Sequence, residues 1–167
     1  MKTLLLMRHA KSSWKDKNLK DTERPLSKRG KRNAVQIGKL LADNELKPEL
    51  ILSSPVRRAQ ETAGLLVETF DSACETIYMD RLYMAEPDII LETLMNLPDT
   101  VERVMVVGHN PGMECLMQLL TGQIASLPTA GFSNISLSIA SWKELGRKAR
   151  GELIQLWRPA ENENFLN

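Results

Sequence analysis

Apolar residues in this chain fall into short continuous runs separated by longer amphipathic stretches. That alternation predicts strands and helices taking turns, as in an α/β sandwich built on a mostly parallel sheet. The first run, Thr3-Leu-Leu-Leu-Met7, reads as a strand. A polar, charged stretch from Lys11 to Arg24 follows, and Pro25-Leu26-Ser27 then opens a helix with Ser27 as its N-cap. Val35, Ile37, Leu40 and Leu41 form the apolar positions of that helix. Glu49 to Ser53 is a second strand, and Ser54-Pro55 predicts a helix start, with serine capping and proline at the first helical position. The helix is expected to run to about Phe70 on a core stripe of Val56, Ala59, Ala63, Leu66, Val67 and Phe70. Glu75 to Met79 reads as a strand, Pro87 to Leu97 as a helix, Arg103 to Val107 as a buried strand and Pro111 to Leu120 as the helix after it. Near the end the pattern changes: Asn134 to Ala140 and Glu152 to Trp157 read as strands flanking a loop or short helix. The polar tail from about 160 to 167 is expected to fray.

Composition narrows the class. The 167 residues suit a single domain over 1–167, and 43% hydrophobic residues furnish a real core. With 22 basic and 21 acidic residues the net charge is +1, so bulk electrostatics gives no reason to expect nucleic acid or an anionic membrane as partner. Any anion must be held locally. Cys74 and Cys115 lack the spacing of a zinc or redox site and read as reduced core thiols. The apolar run ending at Met7 is shorter than the roughly 7–15 residues of a signal-peptide core, and no stretch approaches the ~18 apolar residues of a membrane span. The expected location is cytoplasmic. No heptad or other assembly signal appears, which leaves a monomer as the default.

The chemistry gathers at the ends of the apolar runs. Only two histidines are present, and each directly follows a strand: Leu4-Leu-Leu-Met-Arg8-His9 and Val104-Met-Val-Val-Gly-His109. A third strand, ending Leu52-Ser53-Ser54, leads into Arg57-Arg58. Ligands of open α/β sheets collect outside the carboxyl ends of the strands. Convergence of these ends would place two imidazoles, at least two guanidiniums and a helix N-terminus around one pocket, which suits a phosphoryl group. A neutral imidazole is nucleophilic at neutral pH when its other nitrogen keeps the proton and is anchored. Taken one at a time, each histidine also reads as a hydrogen-bonded structural residue and Arg57-Arg58 as a solvated helix turn. A metal site is disfavoured, because two histidines without H-E-x-x-H spacing or paired aspartates do not make a ligand set. Ser12-Ser13, Ser53-Ser54 and Lys11 show neither a nucleophile elbow nor a P-loop.

Leu6-Met-Arg8-His9-Ala10 resembles the Arg-His-Gly signature of the histidine phosphatase superfamily. Ser53-Ser-Pro-Val-Arg-Arg58-Ala59-Gln-Glu-Thr62 is similar to the second motif of that family, whose phosphate-binding arginine stands directly before alanine; this singles out Arg58 over Arg57. Val107-Gly-His109-Asn-Pro111 resembles the third. Ala10 in place of glycine, Lys11-Ser-Ser-Trp14 and Asp21-Thr-Glu-Arg-Pro-Leu-Ser-Lys-Arg-Gly30 look like the SixA-type phosphohistidine phosphatases. The resemblance implies a phosphoglycerate mutase-like three-layer α/β sandwich with helices on both faces. It also implies a metal- and cofactor-free phosphatase in which His9 attacks phosphorus while Arg8, Arg58 and His109 hold the non-bridging oxygens. Cofactor-dependent phosphoglycerate mutases, other members, carry an acidic glutamate near the position of Leu82-Tyr-Met84, where this chain has none. Glu86 is the nearest candidate proton donor. Ser12, Ser13, Lys15 and Arg24 are further candidates for the rim or the phosphate. Three readings stay open: a phosphatase of phosphohistidine proteins, a phosphatase of small phosphate esters, and a phosphoryl-binding domain without catalysis.

Overall fold

The computed structural model describes residues 1–159, and the fraying expected of 160–167 lies outside them. Six strands form one sheet in the order β3-β2-β4-β1-β5-β6. These are β1 (Lys2–Arg8), β2 (Leu50–Ser53), β3 (Glu75–Tyr78), β4 (Arg103–Gly108), β5 (Phe132–Leu137) and β6 (Gly151–Trp157). The first four are mutually parallel, whereas β5 runs antiparallel to β1 and β6 antiparallel to β5. Each parallel step is made through a helix: α1 (Lys28–Asp43), α2 (Arg57–Glu68) and α3 (Pro87–Met95), with α4 (Gly112–Thr121) leading toward β5.

The alternation of strand side chains divides the core into two layers. Leu5 and Met7 of β1, Ile51 of β2 and Met105 and Val107 of β4 pack with α1 and α2. Leu4, Leu6, Leu52, Val104 and Val106 point the other way, onto α3, α4 and Trp142. The result is the phosphoglycerate mutase-like three-layer sandwich, with helices on both faces. Both faces of β1 and β4 are covered, so these strands are apolar throughout rather than alternating. No helix among the described residues is long and apolar enough to cross a membrane.

Ser27 caps α1 as expected, its hydroxyl accepting the Gly30 N–H at 3.0 Å. The buried stripe of α1 is Ala34, Ile37, Gly38 and Leu41, while Val35 and Leu40 lie on its half-buried margin. Gly38 earns its place there: a Cβ would meet the Thr69 hydroxyl at 2.1 Å, so glycine lets α1 approach the end of α2. Ser54 does not cap α2. That helix begins at Arg57 behind an uncapped Val56, because the Ser54 main chain continues the ladder to Val107 O (3.0 Å) and its side chain is engaged by a histidine. The thiols differ from expectation too. Cys115 is exposed, lying off the stripe of Met113, Leu116, Met117 and Leu120 that α4 buries, and only Cys74 is partly buried against the core.

Candidate active site

Register brings the three strand ends together. Arg8 stands opposite Gly108 and Ser53 opposite Val107, so His9, His109 and Ser54 each extend one residue past the carboxyl edge of neighbouring strands. The ladder holds them there: His9 N–H donates to Gly108 O and Ser54 N–H to Val107 O, both at 3.0 Å. The two imidazole centroids lie 5.1 Å apart. Arg58, only 3% exposed, enters from the first turn of α2, whereas Arg57 turns outward and pairs with Glu61 at 3.1 Å. The local geometry therefore separates two adjacent arginines by helix phase.

His9 Nδ1 lies 2.8 Å from Ala10 O. A carbonyl only accepts, so Nδ1 carries the proton and Nε2 keeps its lone pair. Ala10 is itself pinned, its N–H donating to Thr62 Oγ1 at 3.0 Å, with that hydroxyl donating to Arg58 O at 2.7 Å. Nε2 accepts the Arg58 Nε–H at 3.3 Å. Burial pushes the His9 pKa down to about 4, opposed by the hydrogen bond to the Ala10 carbonyl and reinforced by the lesser effects of the Arg58, Arg8 and Arg24 charges. His9 is thus a neutral imidazole at physiological pH. Burial and its cationic neighbours push His109 to about 3. His109 Nε2 pairs with the fully buried Ser54 hydroxyl at 2.8 Å. His109 Nδ1 and Arg8 Nε are buried without a hydrogen-bond partner among the described residues. The Arg8 Nε–H is necessarily a donor, and an anion entering this cationic pocket would satisfy it.

The cavity over these groups has a volume of about 470 Å³, and its lining includes Arg8, His9, Lys11, Ser12, Arg24, Arg58 and His109. Ser12 and Arg24 of the sequence candidates thus join the principal four, Ser12 accepting from Arg24 at 2.6 Å. Ser13, Lys15 and Glu86 do not line it. The Ser13 hydroxyl accepts the Lys15 N–H at 3.3 Å in the exposed loop, and Glu86 is an exposed residue at the N-terminus of α3. Two contributors escaped the sequence reading. Asp21 and Tyr83 both line the cavity, joined by a 2.7 Å hydrogen bond from the Tyr83 hydroxyl. The hints were that Asp21 opens the phrase leading into α1 and that Tyr83 stands in Leu82-Tyr-Met84, the segment compared with the acid position of the mutases. Arg24, Tyr83 and Arg58 together hold the Asp21 carboxyl far below the usual range, so it is ionised. Among the described residues no three His, Cys, Asp or Glu side chains gather to hold a metal ion.

Residues 4–83 match the sequence profile of the histidine phosphatase superfamily, branch 1. The chain is 33% identical over 151 residues to an uncharacterised chloroplastic protein of Arabidopsis thaliana, spanning 84% of this chain and 69% of that protein. Its fold is similar to that of an Agrobacterium tumefaciens protein provisionally named phosphohistidine phosphatase SixA, with a TM-score of 0.80 and 28% identity over 95% of this chain and 98% of that one. A tungstate complex of the protein histidine phosphatase SixA shares the fold at a TM-score of 0.78 and 19% identity, covering 92% of this chain and 95% of that one.

Proposed function

This chain belongs to the histidine phosphatase superfamily, among its SixA-type phosphatases, and from that premise we propose that it removes phosphate from phosphohistidine residues of signalling or phosphocarrier proteins. The observation that carries the reading is the state of His9, a neutral imidazole with Nδ1–H on Ala10 O and its Nε2 lone pair facing Arg58. In the proposed reaction Nε2 attacks phosphorus in line. The bond from phosphorus to the substrate imidazole breaks as the new one forms, and the leaving imidazole departs with its electron pair and is protonated from solvent. Arg8, Arg58 and His109 hold the non-bridging oxygens, where charge accumulates during transfer. Water then attacks phospho-His9, releasing inorganic phosphate and restoring the neutral imidazole. Guanidinium charge serves the purpose a metal would serve, so the reaction as proposed is metal-independent.

Asp21 bears on the substrate. It is the one carboxylate lining the cavity among the described residues, and its cationic partners keep it ionised, so it holds no proton for a departing alkoxide at neutral pH. An alkoxide needs such an acid, worth ~10²–10⁴-fold, whereas an imidazole leaves more readily. The chemistry of the pocket therefore favours phosphoramidates over phosphate esters.

The test measures phosphate release from a phosphohistidine-bearing carrier protein beside p-nitrophenyl phosphate and a panel of sugar phosphates, with wild type and His9→Ala. Fast His9-dependent release from the carrier, with slow release from the esters, is the expected result. The opposite preference would move the function to small phosphate esters, and tight binding without turnover would leave a phosphoryl-binding domain.

A further inference from the structure

Asp21 takes no part in the bond changes proposed above, yet it ties the cations of the pocket to one another. Its main-chain carbonyl accepts from Arg58 Nη1 at 2.8 Å and its Oδ2 from Arg58 Nη2 at 3.1 Å. Both contacts lie on the far end of the guanidinium fork. The side edge of that fork, carrying Nε, is thereby turned onto His9 Nε2. Oδ1 accepts from Arg24 Nη2 at 2.8 Å, while Arg24 Nη1 reaches Ser12 and the Arg24 guanidinium carbon lies 3.6 Å from the centre of the Trp14 ring. Oδ2 also accepts from the Tyr83 hydroxyl, and the Tyr83 ring stands edge-on to His109 at 85° and 5.5 Å. One carboxylate thus spans α2, the segment after β1 and the segment after β3.

A guanidinium has five donors in a rigid plane, and which edge it presents decides which bidentate contact it can make. An arginine side chain left to itself samples many rotamers, and a displacement of about 1 Å at a reacting centre can cost ~10²-fold in rate. Two charge-independent features support a built arrangement over a chance surface pair. The Arg58 side chain is almost wholly buried, and its end is met by both a main-chain and a side-chain oxygen of one residue.

We propose that Asp21 is a positioning residue of this phosphatase site, which fixes Arg58 and Arg24 so that the side edge of Arg58 meets the phosphoryl group in line with His9. The proposal rests on the role of His9 argued above. Its consequences differ from those of charge alone. Removing a carboxylate from a cationic pocket tightens the binding of any anion, whereas loss of positioning weakens only binding that requires the transfer geometry.

Asp21→Asn keeps the size of the side chain and removes its charge. We compare its binding of inorganic phosphate and of orthovanadate, which adopts the five-coordinate shape of the transferring group, by titration calorimetry, alongside carrier-protein turnover and melting temperature. Expected is phosphate affinity equal to wild type or tighter, with vanadate affinity and kcat each lower by ~10-fold or more. Vanadate affinity that rises together with phosphate affinity would overturn the proposal in favour of charge neutralisation. Loss of both affinities with a lowered melting temperature would overturn it in favour of a structural role. His9→Ala run in parallel separates the two claims: full turnover in that variant defeats the nucleophile assignment, while an inactive His9→Ala beside an unimpaired Asp21→Asn defeats positioning alone.

Discussion

Arg58 directs its Nε–H at His9 Nε2 across 3.3 Å, joining two residues 49 positions apart in the chain. The contact orients the imidazole and adds to what burial, the larger cause, does to its charge state. A cation at Nε2 disfavours protonation there, and the Ala10 carbonyl keeps the proton on Nδ1. The lone pair stays on Nε2, where it accepts the Arg58 N–H at the edge of the pocket into which a phosphorus atom would come.

His9→Ala is expected to lower turnover by at least ~10³-fold, since loss of a covalent nucleophile costs that much in other enzymes. Wild type quenched during turnover with labelled substrate should yield an acid-labile phosphoprotein, and the variant none. Activity within about tenfold of wild type would remove His9 from the role.

The acidic limb of the kcat/KM profile should fall near pH 4 rather than near the 6.5 of a free imidazole, because that limb reports the free enzyme. The same shift has a stability consequence. With the folded pKa below the unfolded one, the unfolded chain takes up protons first, so stability is full above 6.5 and is lost as pH falls toward 4. For His9 the loss between pH 6.5 and about pH 5 is of the order of 2 kcal/mol. Urea midpoints measured at about pH 7 and about pH 5 check it, and equal midpoints would count against a buried neutral His9.

Ser54→Ala removes the partner of His109 Nε2 at a site with no exposed surface on the serine. An unpaired buried nitrogen costs ~1–3 kcal/mol, and a loosened His109 should slow turnover by ~10-fold. Thermal melting and kcat, measured together, would show both; a helix cap alone would move only the first.

Gly30→Ala places a Cβ 2.1 Å from the Lys11 carbonyl oxygen, a main-chain atom with little room to give. Overpacking of this kind costs ~1–3 kcal/mol. Because Lys11 and Ser12 line the cavity, KM should rise as well. Chemical denaturation and steady-state kinetics test the pair, and wild-type values in both would show that α1 can shift freely away from this segment.

Much of the fold was legible because it rests on local pattern. The runs at β1, β2 and β4 are buried on both faces and therefore apolar without interruption, and Ser27 caps α1 through a contact three residues away. Ser54 followed by Pro55 carries the same kind of local signal and misleads, because a distant histidine competes for the hydroxyl. Val35 misleads in a similar way. It is apolar, but α1 buries the face that carries Ala34, Ile37, Gly38 and Leu41, with Gly38 against Thr69, and leaves Val35 on the margin.

By itself the sequence determined that strand ends carry Arg8, His9, Ser54 and His109, and that the Arg57-Arg58 pair stands near the start of the next helix. Strand order and register in a parallel sheet then bring such ends to one edge. What only the tertiary structure decided is which side chains complete the pocket. Asp21 reaches Arg58 across 37 positions and Tyr83 across 62, while Glu86, nearer the expected acid position, turns to solvent. Periodicity records which face of an element is buried, but the path of an irregular segment is set by the contacts it ends up making, and those contacts have no period to read.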